Sequence, residues 1–469
     1  MLLLLSLLAY TYSYHDWLNL PKMDRVVSIT TDKFETYVAV PGGVYQLSVT
    51  DDKLVRTITR ADGIQGAVRA VAYDPQLAML WILSSGNLLN ISPFSNQSFS
   101  YDLPDPDVNS LGMTRDYVLL AFGNRFWQVD KRTGRIEETE PGGRDIAWFG
   151  DRTPYEVTDY PFLTPYILYD RQFQAHRITM VYPDGRRLWV GTEGYGVLRY
   201  SLASKQPQKH WQFGPFGSIW RMFRLGDDLW FRGDDQFVRY NPERDSWSYF
   251  ATPFNTVLTD PAILLRTKVL NLGWHEAILA AAGDSNLLWL GTDHGLYSYS
   301  ARPDVITRQF KLTGDVNDIM IAPDSVFIAT DNGFISYDRV KGGWSVFNDT
   351  LQQMHFGVFG IGATDRRRYY AVYGGLETRD SAGDWELVIP PGFDLSTHPH
   401  AVAGVGDRLF VATGSGIMVY SESLKTWQTL TLESGLLDNR VLSLSADREY
   451  LWVVTPAGIS RFDWRVLFP

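Results

Sequence analysis

The chain has 469 residues, 45% of them hydrophobic, and a formal net charge of −10, so it is long enough to bury one large core or two. The acidic balance, with no basic stripe, argues against a general nucleic-acid footprint. The absence of cysteine excludes disulfides, thiolate catalysis, Cys-ligated zinc and a lipid-anchored cysteine.

Aromatic residues make up 14% of the chain, and 40 Gly and 23 Pro are spread along it rather than gathered in a linker. Many short strands joined by tight turns need this composition. The first residues, MLLLLSLLAYTYS, form a short apolar run followed by small and polar residues. They read as a secretory signal over residues 1–13, cleaved after Ser13, and the run is too short to cross a bilayer as a helix. No later stretch is a membrane-span candidate. The expectation is therefore a soluble exported protein, periplasmic or secreted, with no transmembrane segment after signal removal and with residues 14–469 forming the folded region.

A single motif recurs through residues 14–469. LWVGTEGYGVLRYS at Leu188–Ser201 returns as LWLGTDHGLYSYS at Leu288–Ser300. Anchored on the aromatic of the strand, the units fall at Tyr37, Trp81, Val118, Trp189, Trp230, Trp289, Phe327, Tyr370, Phe410 and Trp452. The gaps are 44, 37, 71, 41, 59, 38, 43, 40 and 42 residues, seven of the nine between 37 and 44. A strand-only period near forty predicts propeller blades.

Each unit resolves into four strands. The first is typified by VLSLSAD at Val441, with relatives at Val26, Val68 and Val316. The second carries the anchor. A turn with glycine follows, as in DHG, DNG, GSG and PAG, because a short hairpin requires positive φ. The third is VLRYS, LYSYS or FISYD, and the fourth often carries a tryptophan, at Trp211, Trp247, Trp344, Trp385 and Trp427. The stretch AILAAAGD at Ala277–Asp284 has helical composition but falls in register with a first strand.

These repeats resemble those of the two-component regulator propeller family, found in extracytoplasmic sensors and in some secreted bacterial proteins. The resemblance covers nearly the whole chain and is strongest in four or five units. It implies a β-propeller and says little about the ligand. Sensor members of the family usually continue into a transmembrane helix and a histidine kinase. This chain stops at Pro469, after its last unit, so signalling through a kinase of its own is not expected.

Ten units fit one ten-bladed ring or two smaller rings, for example five and five. The unbroken pattern favours one ring. The final WRVLFP, Trp464–Pro469, reads as an outer strand, which predicts closure without a strand shared between the termini. Two insertions interrupt the period, at about 132–175 and 252–275. Loops of that length are often functional. The first would plug or rim the axial hole, or else add a hairpin to one blade edge.

In propellers, ligand sites usually sit where loops enter the innermost strands. Aligned on the first-strand valine, the polar residues at those entries are Arg25, Asp107, His176, Arg177, Glu276, Asp315, His400, Asn439 and Arg440. One ring would bring them to one rim, either as a binding site or as a solvated channel mouth. No catalytic residue is assigned, and no cofactor or metal is expected. The close pair His398 and His400 is the best metal candidate and reads more simply as loop histidines. The run Arg366-Arg367-Arg368 reads as a solvated turn. The functional expectation is an exported binding or interaction scaffold, sensory or for envelope assembly, with a protein or glycan partner in the cell envelope. The alternative is a hydrolase or lyase acting on polysaccharide or peptide at the channel mouth. Whether the chain is an enzyme at all stays open at this point, with the scaffold favoured.

Overall fold

The computed structural model describes residues 16–95, 97–140, 146–170, 173–233, 236–251, 278–283, 287–300, 305–312, 314–347, 357–379 and 384–467. The N-terminal apolar run and the second insertion lie outside them. Among the described residues ten antiparallel strand groups follow one another along the chain, in keeping with a β-propeller; two of them are joined by one parallel bridge, Leu225–Gly283, and each group is called a sheet. Their first strands are Ser28–Thr31, Val68–Asp74, Ser110–Met113, Ala175–Asp184, Ile219–Leu225, Ile278–Gly283, Val316–Ile321, Gly360–Ala363, Ala401–Val405 and Ser443–Ala446. We number the sheets 1 to 10 in that order. Sheet 9 is typical, with strands Ala401–Val405, Arg408–Thr413, Gly416–Ser421 and Thr426–Leu430 paired in succession.

All ten predicted anchors stand on second strands, and all five predicted tryptophans on fourth strands. AILAAAGD supplies the first strand of sheet 6, Ile278–Gly283. The anchors are buried because each second strand has neighbours on both faces. Tyr37 and Trp189 are 0% exposed. Fourth-strand tryptophans close over them, as in Trp189–Trp211 at 5.3 Å between ring centroids. Such pairs add about 0.5–1.5 kcal/mol beyond the area they bury.

The turn after the second strand explains the repeated threonine and glycine. The Thr292, Thr330, Thr413 and Thr455 hydroxyls donate to the carbonyls of Gly295, Gly333, Gly416 and Gly458 at 2.8–3.1 Å. Gly416 has φ 128°, and a Cβ there would also collide with the Leu430 carbonyl of the fourth strand. Only glycine satisfies both demands.

The chain divides into two compact units. Residues 19–217 form the smaller and carry sheets 1 to 4. Residues 218–469, with the first eighteen, form the larger and carry sheets 5 to 10. The single ring of ten, and the five-and-five alternative, are therefore replaced by six sheets and four. The reason lies in contacts that every sheet makes with its successor. In the larger unit the Trp289 anchor of sheet 6 packs on Tyr337 of sheet 7, with centroids 5.7 Å apart. Trp452 of sheet 10 makes the same contact with Tyr240 of sheet 5, at 5.2 Å. Sheet 10 is thus followed by sheet 5, and the six first strands close on themselves.

In the smaller unit the Ser28 hydroxyl of sheet 1 accepts the Val71 amide of sheet 2 at 3.2 Å. Sheet 4 meets sheet 1 through the Val26 amide, which donates to the Thr192 carbonyl at 3.1 Å. The Arg199–Asp52 ion pair at 2.9 Å and the Trp211 indole donating to the Asp52 carbonyl reinforce that junction. Between sheets 2 and 3, Lys131 and Asp74 form an ion pair at 2.8 Å with side chains 5% and 1% exposed.

Two expectations about the ends and the first insertion are corrected. Trp464–Leu467 is a 3-10 turn, not a strand. The outer strand of sheet 10 comes from the other end of the sequence, Trp17–Pro21. Trp17 stacks on Phe462 at 4.4 Å and is buried against Leu436, Leu451 and Leu467. The larger unit therefore does close with a strand from each end, because the third strand of sheet 10 would otherwise leave an unpaired edge. The first insertion adds two strands rather than one hairpin. Ala147–Gly150 pairs with the first strand of sheet 3, and Ile167–Tyr169 with that of sheet 4, both on the free edge of those strands. Its apolar residues Leu163, Phe162 and Tyr160 pack on sheet 4.

Candidate functional site

The nine entry residues are divided between the two units. Arg25, Asp107, His176 and Arg177 belong to the smaller unit, and Asp315, His400, Asn439 and Arg440 to the larger. Glu276 lies outside the described residues. Several have plain local duties. His176 is 5% exposed. Its Nδ1 contacts the Glu193 carbonyl at 3.1 Å, its Nε2 contacts Asp170 Oδ2 at 3.4 Å, and its ring stacks on Tyr195. Arg177 accepts the Glu193 amide through its carbonyl, and Arg25 forms an isolated bridge with Glu193. The Asp107 amide donates to Asp105 Oδ1 at 2.9 Å. Asn439 Oδ1 accepts the Leu432 amide at 2.7 Å, and the Arg440 amide donates to Asp438 at 2.8 Å.

Sheet 9 is offset from the sequence alignment. The His400 amide donates to the Ala412 carbonyl, as the Phe359 amide of sheet 8 does to Ala371 and the Leu442 amide of sheet 10 does to Val454. His400 therefore stands where Phe359 and Leu442 stand, past the entry rather than on it. Its Nδ1 is 2.6 Å from the Val441 carbonyl of sheet 10. His398 stacks flat on Phe359 at 3.6 Å. Burial holds its basicity below the usual histidine range, and its Nδ1 contacts the Pro399 carbonyl at 3.0 Å. Among the described residues no cluster of three His, Asp or Glu side chains could hold a metal ion.

The larger unit has an axial cavity of about 560 Å³, lined by the first strands of all six of its sheets. Most of the wall is small or apolar, including Ala280, Ala282, Gly362, Ala403, Ala446 and Ile319. Three charged residues line it; Arg224 pairs with Asp447 at 2.7 Å, which leaves Arg221 and Asp318. They occupy the same strand position, as the registers Arg221↔Arg232, Ala280↔Gly291 and Asp318↔Ala329 show. Each follows a bulge in its first strand.

At this position a polar side chain normally accepts an amide of the next sheet. Ser443 takes the Met222 amide at 3.3 Å, and Asp318 takes that of Ile361 at 2.8 Å. Asp318 Oδ1 also accepts its neighbour Ile319 at 2.9 Å. Burial nevertheless raises the Asp318 carboxyl above its ordinary value, opposed by these amides and by Arg221. Burial likewise lowers Arg221, and the fields of Asp318 and Asp315 hold its charge in place. At the entry, Asp315 is raised by burial first and then by repulsion from Asp331 and Asp293. Asn317 ties that end together, donating to Asp331 Oδ1 and to the Val358 carbonyl, each at 3.0 Å.

The entry-position alignment missed Arg221 and Asp318 because it stopped at the loops. The signal was present one step further in. Two residues past the aligned apolar residue, most units carry Ser, Ala or Gly, whereas sheets 5 and 7 carry Arg221 and Asp318.

No protein-family model matches the chain, and no curated protein matches it. Solved structures do match. PorZ, an essential bacterial surface component of the type-IX secretion system of Porphyromonas gingivalis, is 13% identical at a TM-score of 0.38, covering 93% of this chain and 73% of that one. A structure described as the extracellular domain of the hybrid two-component system BT4673 from B. thetaiotaomicron is 15% identical at 0.39, covering 92% and 69%. The corresponding domain of BT3049 from the same organism is 16% identical at 0.40, covering 93% and 61%. At these scores the ring closures rest on this chain's own contacts. No helix among the described residues is long and apolar enough to cross a membrane.

Proposed function

We propose that the protein is an exported binding scaffold whose larger unit takes a small polar ligand in its axial cavity. The observation that carries this reading is the cavity itself. Its volume, about 560 Å³, lies in the range of ligand pockets, about 300–1,000 Å³. Its walls are cut back to alanine and glycine, while a guanidinium at Arg221 and a carboxylate at Asp318 stand half-buried among them. Charges in such surroundings interact more strongly with a ligand than they would at the surface. Arg221 offers donors in a planar fork, suited to a carboxylate or another oxygen-rich group. The N-terminal apolar run and the two-component resemblance of the repeats support action outside the cytoplasm, in the cell envelope.

Calorimetry of the intact chain against envelope-derived oligosaccharides and peptides tests the reading. Asp318→Asn and Arg221→Gln each remove one of the two charges with little change of bulk. A ligand that binds the wild type and is lost in both variants supports the channel site. A ligand whose affinity is the same in all three proteins binds elsewhere and sinks it.

A further inference from the structure

The arginine run 366–368 lies at an exposed turn, as expected, but its three side chains part company. Arg367 leaves the run sideways, pairing with Glu386 at 3.2 Å and Glu422 at 3.7 Å. All three arginines line a hollow of about 310 Å³ at this end of sheet 8, together with Arg379, Tyr370, Thr364 and Asp365, and among the described residues Arg366 and Arg368 have no such acidic partners. Tyr369 pairs with Thr378 across the strands Arg368–Val372 and Gly375–Arg379. That register sets Arg368 and Arg379 opposite each other. Like charges in such cross-strand positions are destabilising unless something neutralises them.

Among the described residues no carboxylate pairs with Arg366, Arg368 or Arg379; Asp365 is the single acidic residue lining the hollow. Two of the three guanidinium groups are held in place by rings. Arg368 lies 4.3 Å over Phe327, and Arg379 lies 4.8 Å over Trp385. Cation–π contacts of this kind fix direction without consuming the N–H donors at the rim of the guanidinium. Tyr370 adds a phenol bonded to Arg368. Three arginines with spare donors, two of them oriented by rings, suit an oxyanion.

We infer that the Arg366–Arg368–Arg379 hollow of sheet 8 is a binding site for a tetrahedral dianion, phosphate or sulfate, either free or as the ester end of a larger molecule. It is independent of the axial cavity: it lies at the turn between first and second strands, the end of sheet 8 opposite its entry loop.

The test is calorimetric titration of the full chain with inorganic phosphate, with sulfate and with a sugar phosphate monoester, against sodium chloride at matched ionic strength. Saturable heat is expected with phosphate or sulfate and none with chloride. Arg366→Gln/Arg379→Gln should weaken binding at least about tenfold, since each lost bond to a charged group is worth that much. Asp365→Asn removes the one acidic side chain and should tighten binding several-fold, which keeps the test valid if the double variant fails to fold. Equal affinity for the free ion and the ester assigns the site to the ion, and tighter binding of the ester assigns it to an ester group; both support the site. No saturable heat in the wild type, or affinities unchanged in a folded variant, would overturn it.

Discussion

Gly191 lies against Val26: a Cβ on the glycine would come within 2.6 Å of the valine Cγ1. In the larger unit Gly291 of sheet 6 meets Val316 at the opening of sheet 7 in the same way. The second-strand glycine therefore receives the valine that opens the next sheet. For Gly191 of sheet 4 that valine belongs to sheet 1, so the smaller unit returns to its beginning at this point.

Gly191→Ala should accordingly strain the junction between sheets 4 and 1. Overpacking of this kind costs about 1–3 kcal/mol, read as a lower urea midpoint. Gly343→Ala, where a Cβ meets nothing within 4 Å, should change the midpoint little. Equal effects at the two positions would contradict the account of this interface.

The Lys131–Asp74 pair is buried on both sides, and Lys131 also donates to the Thr114 carbonyl at 2.7 Å. Asp74→Ala leaves an ammonium group without its counter-charge in the interior, at a cost of about 3–5 kcal/mol. Adding Lys131→Met should recover much of that loss. A double-mutant cycle by chemical denaturation measures both steps, and additive losses would show that the two charges are not coupled.

Trp17→Ala removes the ring that seats the N-terminal strand on sheet 10. The expected loss is about 3–5 kcal/mol, typical of truncating a buried tryptophan. Thermal unfolding followed by circular dichroism reads it. A melting temperature equal to that of the wild type would mean that the strand contributes nothing to the closure of the larger unit.

Asp315 titrates against its surroundings. Burial, Asp331 and Asp293 raise its carboxyl, and Arg221 and His294 lower it, with a net rise. A folded value above the unfolded one, about 3.9, means that the native state binds the proton more tightly. Stability is then lost as pH rises from about 4 through the folded value. Asp315→Asn should raise the melting temperature at pH 7, and the gain should disappear near pH 3, where the carboxyl is protonated in both states. A gain that persists at low pH would place its origin outside this ionisation.

The blades are legible along the chain. The apolar run around Trp289 or Phe410, and the Thr-x-x-Gly turn after it, are local patterns, and local hydrogen bonds enforce them wherever the strands sit. Hence every anchor was placed on its second strand before any tertiary contact was known. The count of rings was not legible, because the contact that ends a ring is the same contact that continues one. Trp452 needs a tyrosine at one position of a third strand, and nothing local says that it is Tyr240, two hundred residues back, rather than a tyrosine of sheet 1. The outer strand of sheet 10 was hidden for the same reason: Trp17–Pro21 and Gly458–Asp463 share no local pattern, only an edge. The nine entry residues were chosen for one rim, and tertiary structure divided them. It also moved the charge of interest inward to Arg221 and Asp318, and joined Arg379 to Arg366 and Arg368. Strand geometry is written in neighbours along the chain, whereas ring closure and charge clustering depend on which alike surfaces meet, and only folding decides that.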